Sequence, residues 1–123
     1  MANTFGKQLK TVPINSRSKG KAGELEAAAI LRDMGYDARR GQQHAGGPDS
    51  PDLVTNFPFH LEVKRVQRLN LEVAYQQATK DAGGVGAPPA VLHRRNRGKW
   101  LLTMSLEDFH LYNKNQNKES EDA

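Results

Sequence analysis

Two short runs hold the chain's densest set of ionic side chains. They are Ser50-Pro51-Asp52-Leu53-Val54 and, after Thr55 to Pro58, Phe59-His60-Leu61-Glu62-Val63-Lys64. Both read as strands joined by a proline-containing turn. Side chains alternate across a strand, so Phe59, Leu61 and Val63 point one way and His60, Glu62 and Lys64 the other. If the runs pair as a hairpin about Phe57, Asp52 falls across from Glu62 on the ionic face. Two carboxylates and an ammonium then converge on a stiff backbone. Such a cluster is costly in an apolar core and useful around a divalent cation in a hydrolase. Its ordinary structural counterpart is a solvated ion pair on an exposed strand. The surrounding chain has to choose between them.

The elements that must position this cluster follow from periodicity. Ser16 or Ser18 caps a helix from about Lys21 to Met34, with Ala27, Ile30, Leu31 and Met34 as its buried stripe. Gly35 ends it as a left-handed cap. Glu24 and Glu26 sit at opposite margins of that stripe, and periodicity does not choose between them. Tyr36 to Arg40 is a short strand, and Gly41 to Ser50 a polar, glycine-containing loop leading into Asp52. Asn70 caps a second helix with Leu71, Ala74, Tyr75, Ala78 and Ala82 on its apolar face, stopped by Gly83-Gly84. Ala90 to Arg94 and Lys99 to Met104 form a strand pair about Asn96-Arg97-Gly98. Ser105-Leu106-Glu107-Asp108 opens a last helix docked by Phe109, Leu111 and Tyr112. The reading is a basic arm (1–17), one domain (18–112) and a polar, disordered tail (113–123). The fold class is α/β, a mixed central sheet flanked by helices.

The chain has 123 residues and a net charge of +4, and several of its acids lie in the last segment. Basic surface favours a polyanion, nucleic acid before membrane. Basic residues cluster at Arg17, Lys19 and Lys21, at Arg39 and Arg40, at Arg65 and Arg68, and at Arg94, Arg95, Arg97 and Lys99. Several flank the ionic runs, so phosphate contact is the favoured role. With no base-reading motif, binding should follow backbone shape and weaken with salt. There is no cysteine, which excludes disulfides and thiolate-bound zinc. The four histidines, His44, His60, His93 and His110, match no zinc spacing. Trp100 is expected in the core or an interface. No apolar run reaches transmembrane length and no secretory leader is evident, so a cytoplasmic protein without a membrane partner is expected, in the host cytoplasm if phage-encoded.

Lys19-Gly20-Lys21-Ala22-Gly23-Glu24, Gly35-Tyr36, Pro51-Asp52-Leu53 and Leu61-Glu62-Val63-Lys64, in that order, resemble the PD-(D/E)XK nuclease superfamily. The likeness is strongest to archaeal-type Holliday-junction resolvases and their phage counterparts. It runs with specific motifs from about Ser18 to Lys64, and more loosely through Gln77 to the last helix. The resemblance implies a restriction-endonuclease-like core and favours Glu24 over Glu26 as the helix acid. It implies Glu24, Asp52, Glu62 and Lys64 as catalytic, with Gln77 as an accessory contact to water or phosphate. Asp52, Glu62, the Val63 carbonyl and Glu24 would hold Mg²⁺, with Mn²⁺ substituting. Products with 5′-phosphate and 3′-hydroxyl ends are implied as well.

Mg²⁺ takes oxygen ligands and retains waters, so one or two carboxylates plus a substrate phosphate suffice. The first expectation is a Mg²⁺-dependent endodeoxyribonuclease acting on branched double-stranded DNA. A four-way junction has two scissile strands related by a two-fold axis, which a C2 homodimer matches. The alternatives are a nuclease of the same superfamily acting on linear or damaged duplex, and a non-catalytic nucleic-acid-binding module.

Overall fold

The computed structural model describes residues 20–41, 52–84 and 86–122. The basic arm, the caps Ser16 and Ser18 and all but Gly41 of the polar loop lie outside them. Helix α1 covers residues 20–33. Its end is closed by Tyr36 N–H donating to the Leu31 carbonyl and Gly35 N–H to the Arg32 carbonyl, both at 3.0 Å. Gly35 has φ +103°, a conformation that a Cβ would strain. Ala27, Ala28 and Leu31 are buried. Met34, expected in the stripe, is 67% exposed because it falls in the terminating turn, beyond the helical repeat.

Five strands and two further helices follow: β1 (Ala38–Arg40), β2 (Leu53–Thr55), β3 (His60–Arg65), α2 (Leu71–Ala82), β4 (Pro89–Arg94), β5 (Leu101–Met104) and α3 (Leu106–Asp122). β4 lies at the centre of a mixed three-stranded sheet, parallel to β3 and antiparallel to β5. Its Ala90, Val91 and Leu92 are all buried, as a strand covered on both faces requires. Ala90 and Leu92 join Phe59, Leu61 and Val63 of the β3 segment and Ala27, Ala28 and Leu31 of α1 in one core. Val91 faces Ala74 and Ala78 of α2 on the other side. Alanines on both helices let them lie close to the sheet. Asn70 caps α2, its Oδ1 accepting from Val73 N–H at 3.1 Å, a cap worth about 1 kcal/mol.

The expected hairpin of Asp52–Val54 with Phe59–Lys64 does not form. β2 pairs antiparallel with β1 instead, Arg40 opposite Leu53 and Ala38 opposite Thr55. Two sets of interactions divert it. Thr55 Oγ1 and Asn56 N–H both donate to the Asp37 carbonyl, at 2.6 and 3.3 Å, and Asn56 Oδ1 accepts from Asp37 N–H at 2.9 Å. The residues of the supposed turn are also drawn into an edge-to-face aromatic row. Phe57 lies 4.9 Å from Tyr36, Phe59 5.6 Å from Phe57, and Tyr112 5.0 Å from Phe59.

Ser105 caps α3, its Oγ accepting from Asp108 N–H at 3.1 Å. Of the expected docking trio, Tyr112 packs on the core, whereas Phe109 and Leu111 are 46% and 50% exposed. α3 continues to Asp122, past Asn113 where the polar composition predicts disorder. Once a capped, docked first turn exists, each added residue gains a backbone hydrogen bond without a new nucleation cost. No helix among the described residues is long and apolar enough to cross a membrane.

Candidate active site

The site begins with the edge of β3 that β4 leaves open. There Val63 N–H donates to Asp52 Oδ2 at 2.8 Å, fixing the first described residue after the polar loop against the middle of β3. Glu62, the preceding residue on β3, is 6% exposed, and Lys64 Nζ stands 3.4 Å from its Oε2. From α1, Glu24 is 8% exposed with its Oε1 2.7 Å from Arg40 Nε. Glu24, Asp52, Glu62, Val63 and Lys64 line one cleft of about 380 Å³. Three segments therefore deliver the acids: α1, the residue just before β2, and β3.

Burial dominates the electrostatics. It raises the Glu62 carboxyl to about 7, with the Asp52 charge pushing the same way and Lys64 opposing. Asp52 is raised by burial, against the Val63 N–H and Lys64. Glu24 is raised by burial, against its bond to Arg40. For all three carboxyls burial outweighs the nearby cations Lys64 and Arg40.

Each acid has one oxygen engaged: Asp52 Oδ2 by Val63, Glu62 Oε2 by Lys64, Glu24 Oε1 by Arg40. The other oxygen of each has no protein partner among the described residues. Among the described residues no group of three or more acidic or histidine side chains is placed to hold a metal ion by itself. One or two carboxylates suffice for a cation that keeps water and takes a substrate oxygen, as Mg²⁺ does.

Residues 15–122 match the family described as "Phage putative PDDEXK endonuclease". The chain belongs to this family. The α/β core is accordingly restriction-endonuclease-like. The chain is also similar to Protein D14 of Escherichia phage T5, 27% identical over 118 residues, covering 77% of this chain and 74% of that protein. No solved structure gives a significant match.

Other residues singled out in this PD-(D/E)XK chain take varied positions. Glu26 points away from the carboxylate cleft, with Arg94 Nη1 2.6 Å from its Oε1 and Arg65 Nε 3.5 Å from its Oε2. Arg40, Arg65 and Arg94, expected to face DNA, thus serve ion pairs within the fold. Lys21, Arg39, Arg68, Arg95 and Arg97 are exposed, and Arg17 and Lys19 lie outside the described residues. Gln77 does not line the cleft; its Nε2 donates to Asp81 at 3.1 Å. Asp81 is an acid that the sequence reading passed over, yet its charge reaches both Asp52 and Glu62 and raises them. Its place one helical turn beyond Gln77 was the available signal.

His60 is close enough to Asp52 for its charge to favour the carboxylate. His93 Nε2 lies 2.9 Å from Thr103 Oγ1, His110 is exposed on α3, and His44 is outside the described residues. Trp100 packs against the main core, with the Arg94 guanidinium 6.0 Å from its ring centroid.

Proposed function

We propose that the cleft hydrolyses phosphodiester bonds of branched DNA, making the protein a Mg²⁺-dependent endodeoxyribonuclease of the Holliday-junction-resolving kind. The observation that carries this reading is the gathering of Glu24, Asp52, Glu62 and Lys64 in one cleft from three separate segments. Asp52 and Glu62 would hold Mg²⁺, or Mn²⁺ in its place, with the Val63 carbonyl and Glu24 as further ligands. When bound, the ion would supply Lewis-acid polarisation of the phosphate and a more acidic water.

The chain's own groups do the rest. Lys64 holds an ammonium beside the carboxylates, where it orients the attacking water or offsets charge gathering on the phosphate. Burial keeps Asp52 and Glu62 poorly hydrated and strengthens every interaction with charge in the cleft. The Val63 N–H holds Asp52 in one orientation against β3.

The preference for branched DNA is supported by the motif order shared with junction resolvases. A C2 homodimer would present two such clefts to the two scissile strands. The test incubates the protein with a four-way junction and a sequence-matched linear duplex, each with Mg²⁺ or EDTA. Symmetric, metal-dependent nicking of the junction is expected. Equal cutting of both DNAs would replace junction resolution with general duplex cleavage, and binding without cutting would leave a DNA-binding module.

A further inference from the structure

The carboxylate cleft does not end at Lys64. Its wall continues through Arg65 to Val66 and Gln67, and these last two residues also line a second cleft of about 360 Å³. The second cleft is bounded by His93, Arg94, Arg95 and Lys99 at the β4–β5 turn. One side chain ties the two together. Gln67 Oε1 accepts from the Asn96 backbone N–H at 3.1 Å, fastening the turn to the segment leaving β3.

The cations along the two clefts and on the β4–β5 turn fall into two sets. Arg94 and Arg65 are paired with Glu26, and Arg94 also lies over Trp100. Arg95, Arg97 and Lys99 are exposed, and none has a carboxylate partner among the described residues. Arg97 has φ +64°, the one positive φ at a non-glycine residue among those described. A left-handed conformation favours glycine, so an arginine there sets local stability against something its side chain does.

We infer that the β4–β5 turn is a second phosphate-binding site. Arg95, Arg97 and Lys99 hold the backbone phosphates that flank, on one side, the phosphate at the carboxylate cleft, and Gln67 positions the turn. The partner is a nucleic-acid strand, and the contact is blind to base identity. The inference rests on the proposed nuclease reading for what occupies the first cleft. It adds that the strand leaves that cleft along Val66 and Gln67, and that Arg94 and Arg65 are structural.

The test measures binding of a labelled four-way junction and a labelled duplex by fluorescence polarisation across a salt series in EDTA, using the full chain. Each lost phosphate contact should flatten log Kobs against log [salt] by about 0.9. R95A/R97A/K99A should therefore flatten the slope by about 2 to 3. R97G should bind more weakly yet melt at a higher temperature, because glycine relieves the backbone strain while removing the charge. Q67A, which frees the turn, should raise Kd several-fold and flatten the same salt slope. The inference is overturned by an unchanged salt slope in the triple variant, by R97G melting lower with undiminished affinity, or by Q67A leaving both affinity and salt slope unchanged. Binding needs no cutting. A protein that binds in this pattern but cuts nothing would keep the second site and lose the nuclease reading.

Discussion

Val63 N–H and Asp52 Oδ2, 2.8 Å apart, join two segments that share no strand ladder. This bond does the work that hairpin pairing would have done, bringing the Asp52 carboxylate beside Glu62. It also separates two roles of Asp52. Asp52→Asn keeps an oxygen for the Val63 N–H, so the fold should melt near the parent temperature while cutting is abolished and binding persists. Asp52→Ala leaves that N–H without its partner and should cost about 1–3 kcal/mol besides. Thermal melts with a cleavage assay check both, and equal loss of binding and cutting in Asp52→Asn would show a structural role.

Glu24 and Glu26 are two residues apart on α1 and face different partners. Glu24→Ala should remove cutting. Glu26→Ala should instead destabilise the fold by about 2 kcal/mol, because Arg94 and Arg65 lose the carboxylate they share. Its cutting rate, measured below the melting transition, should stay near the parent value. The opposite ranking would make Glu26 the helix acid.

Gly23 shows how tightly α1 must approach β3. A Cβ at that position would lie 2.9 Å from Arg65 Cβ, an atom next to the backbone that has little freedom to retreat. Alanine would improve helix propensity by about 1 kcal/mol. Overpacking costs about 1–3 kcal/mol, so the net effect of Gly23→Ala should be destabilising. The shift passes directly to the adjacent Glu24, and cutting should fall about 10- to 100-fold. A variant that melts higher and cuts normally would show that α1 can slide without consequence.

Glu62 predicts a pH signature in metal-free protein. Its folded carboxyl is raised to about 7 from an ordinary 4.5. The folded state therefore holds the proton more tightly than the unfolded state. The stability this contributes is complete below about 4.5 and lost as pH rises through about 7. Relative to Glu62→Gln, the parent protein in EDTA should lose stability across that window. The comparison removes His93, whose partly buried imidazole is lowered and acts in the opposite direction. Added Mg²⁺ should close the gap at high pH by replacing the proton with a cation. A gap independent of pH would mean that Glu62 is well solvated.

By itself the sequence determined the parts that obey a repeat or a cap. Alternation along Phe59 to Lys64 placed the apolar residues in the core and Glu62 on the opposite face, and Asn70, Ser105, Gly35 and Gly83 marked helix ends. These depend on neighbours a few residues away, where backbone geometry leaves little choice. Only the tertiary structure decided that β2 turns to β1, that Glu26 pairs with both Arg65 and Arg94, and that Asp81 stands near the acids. Each is a choice among distant partners of similar chemistry. It is settled by which groups the packed aromatic row and the alanine-lined helices bring together, and no local pattern encodes that outcome.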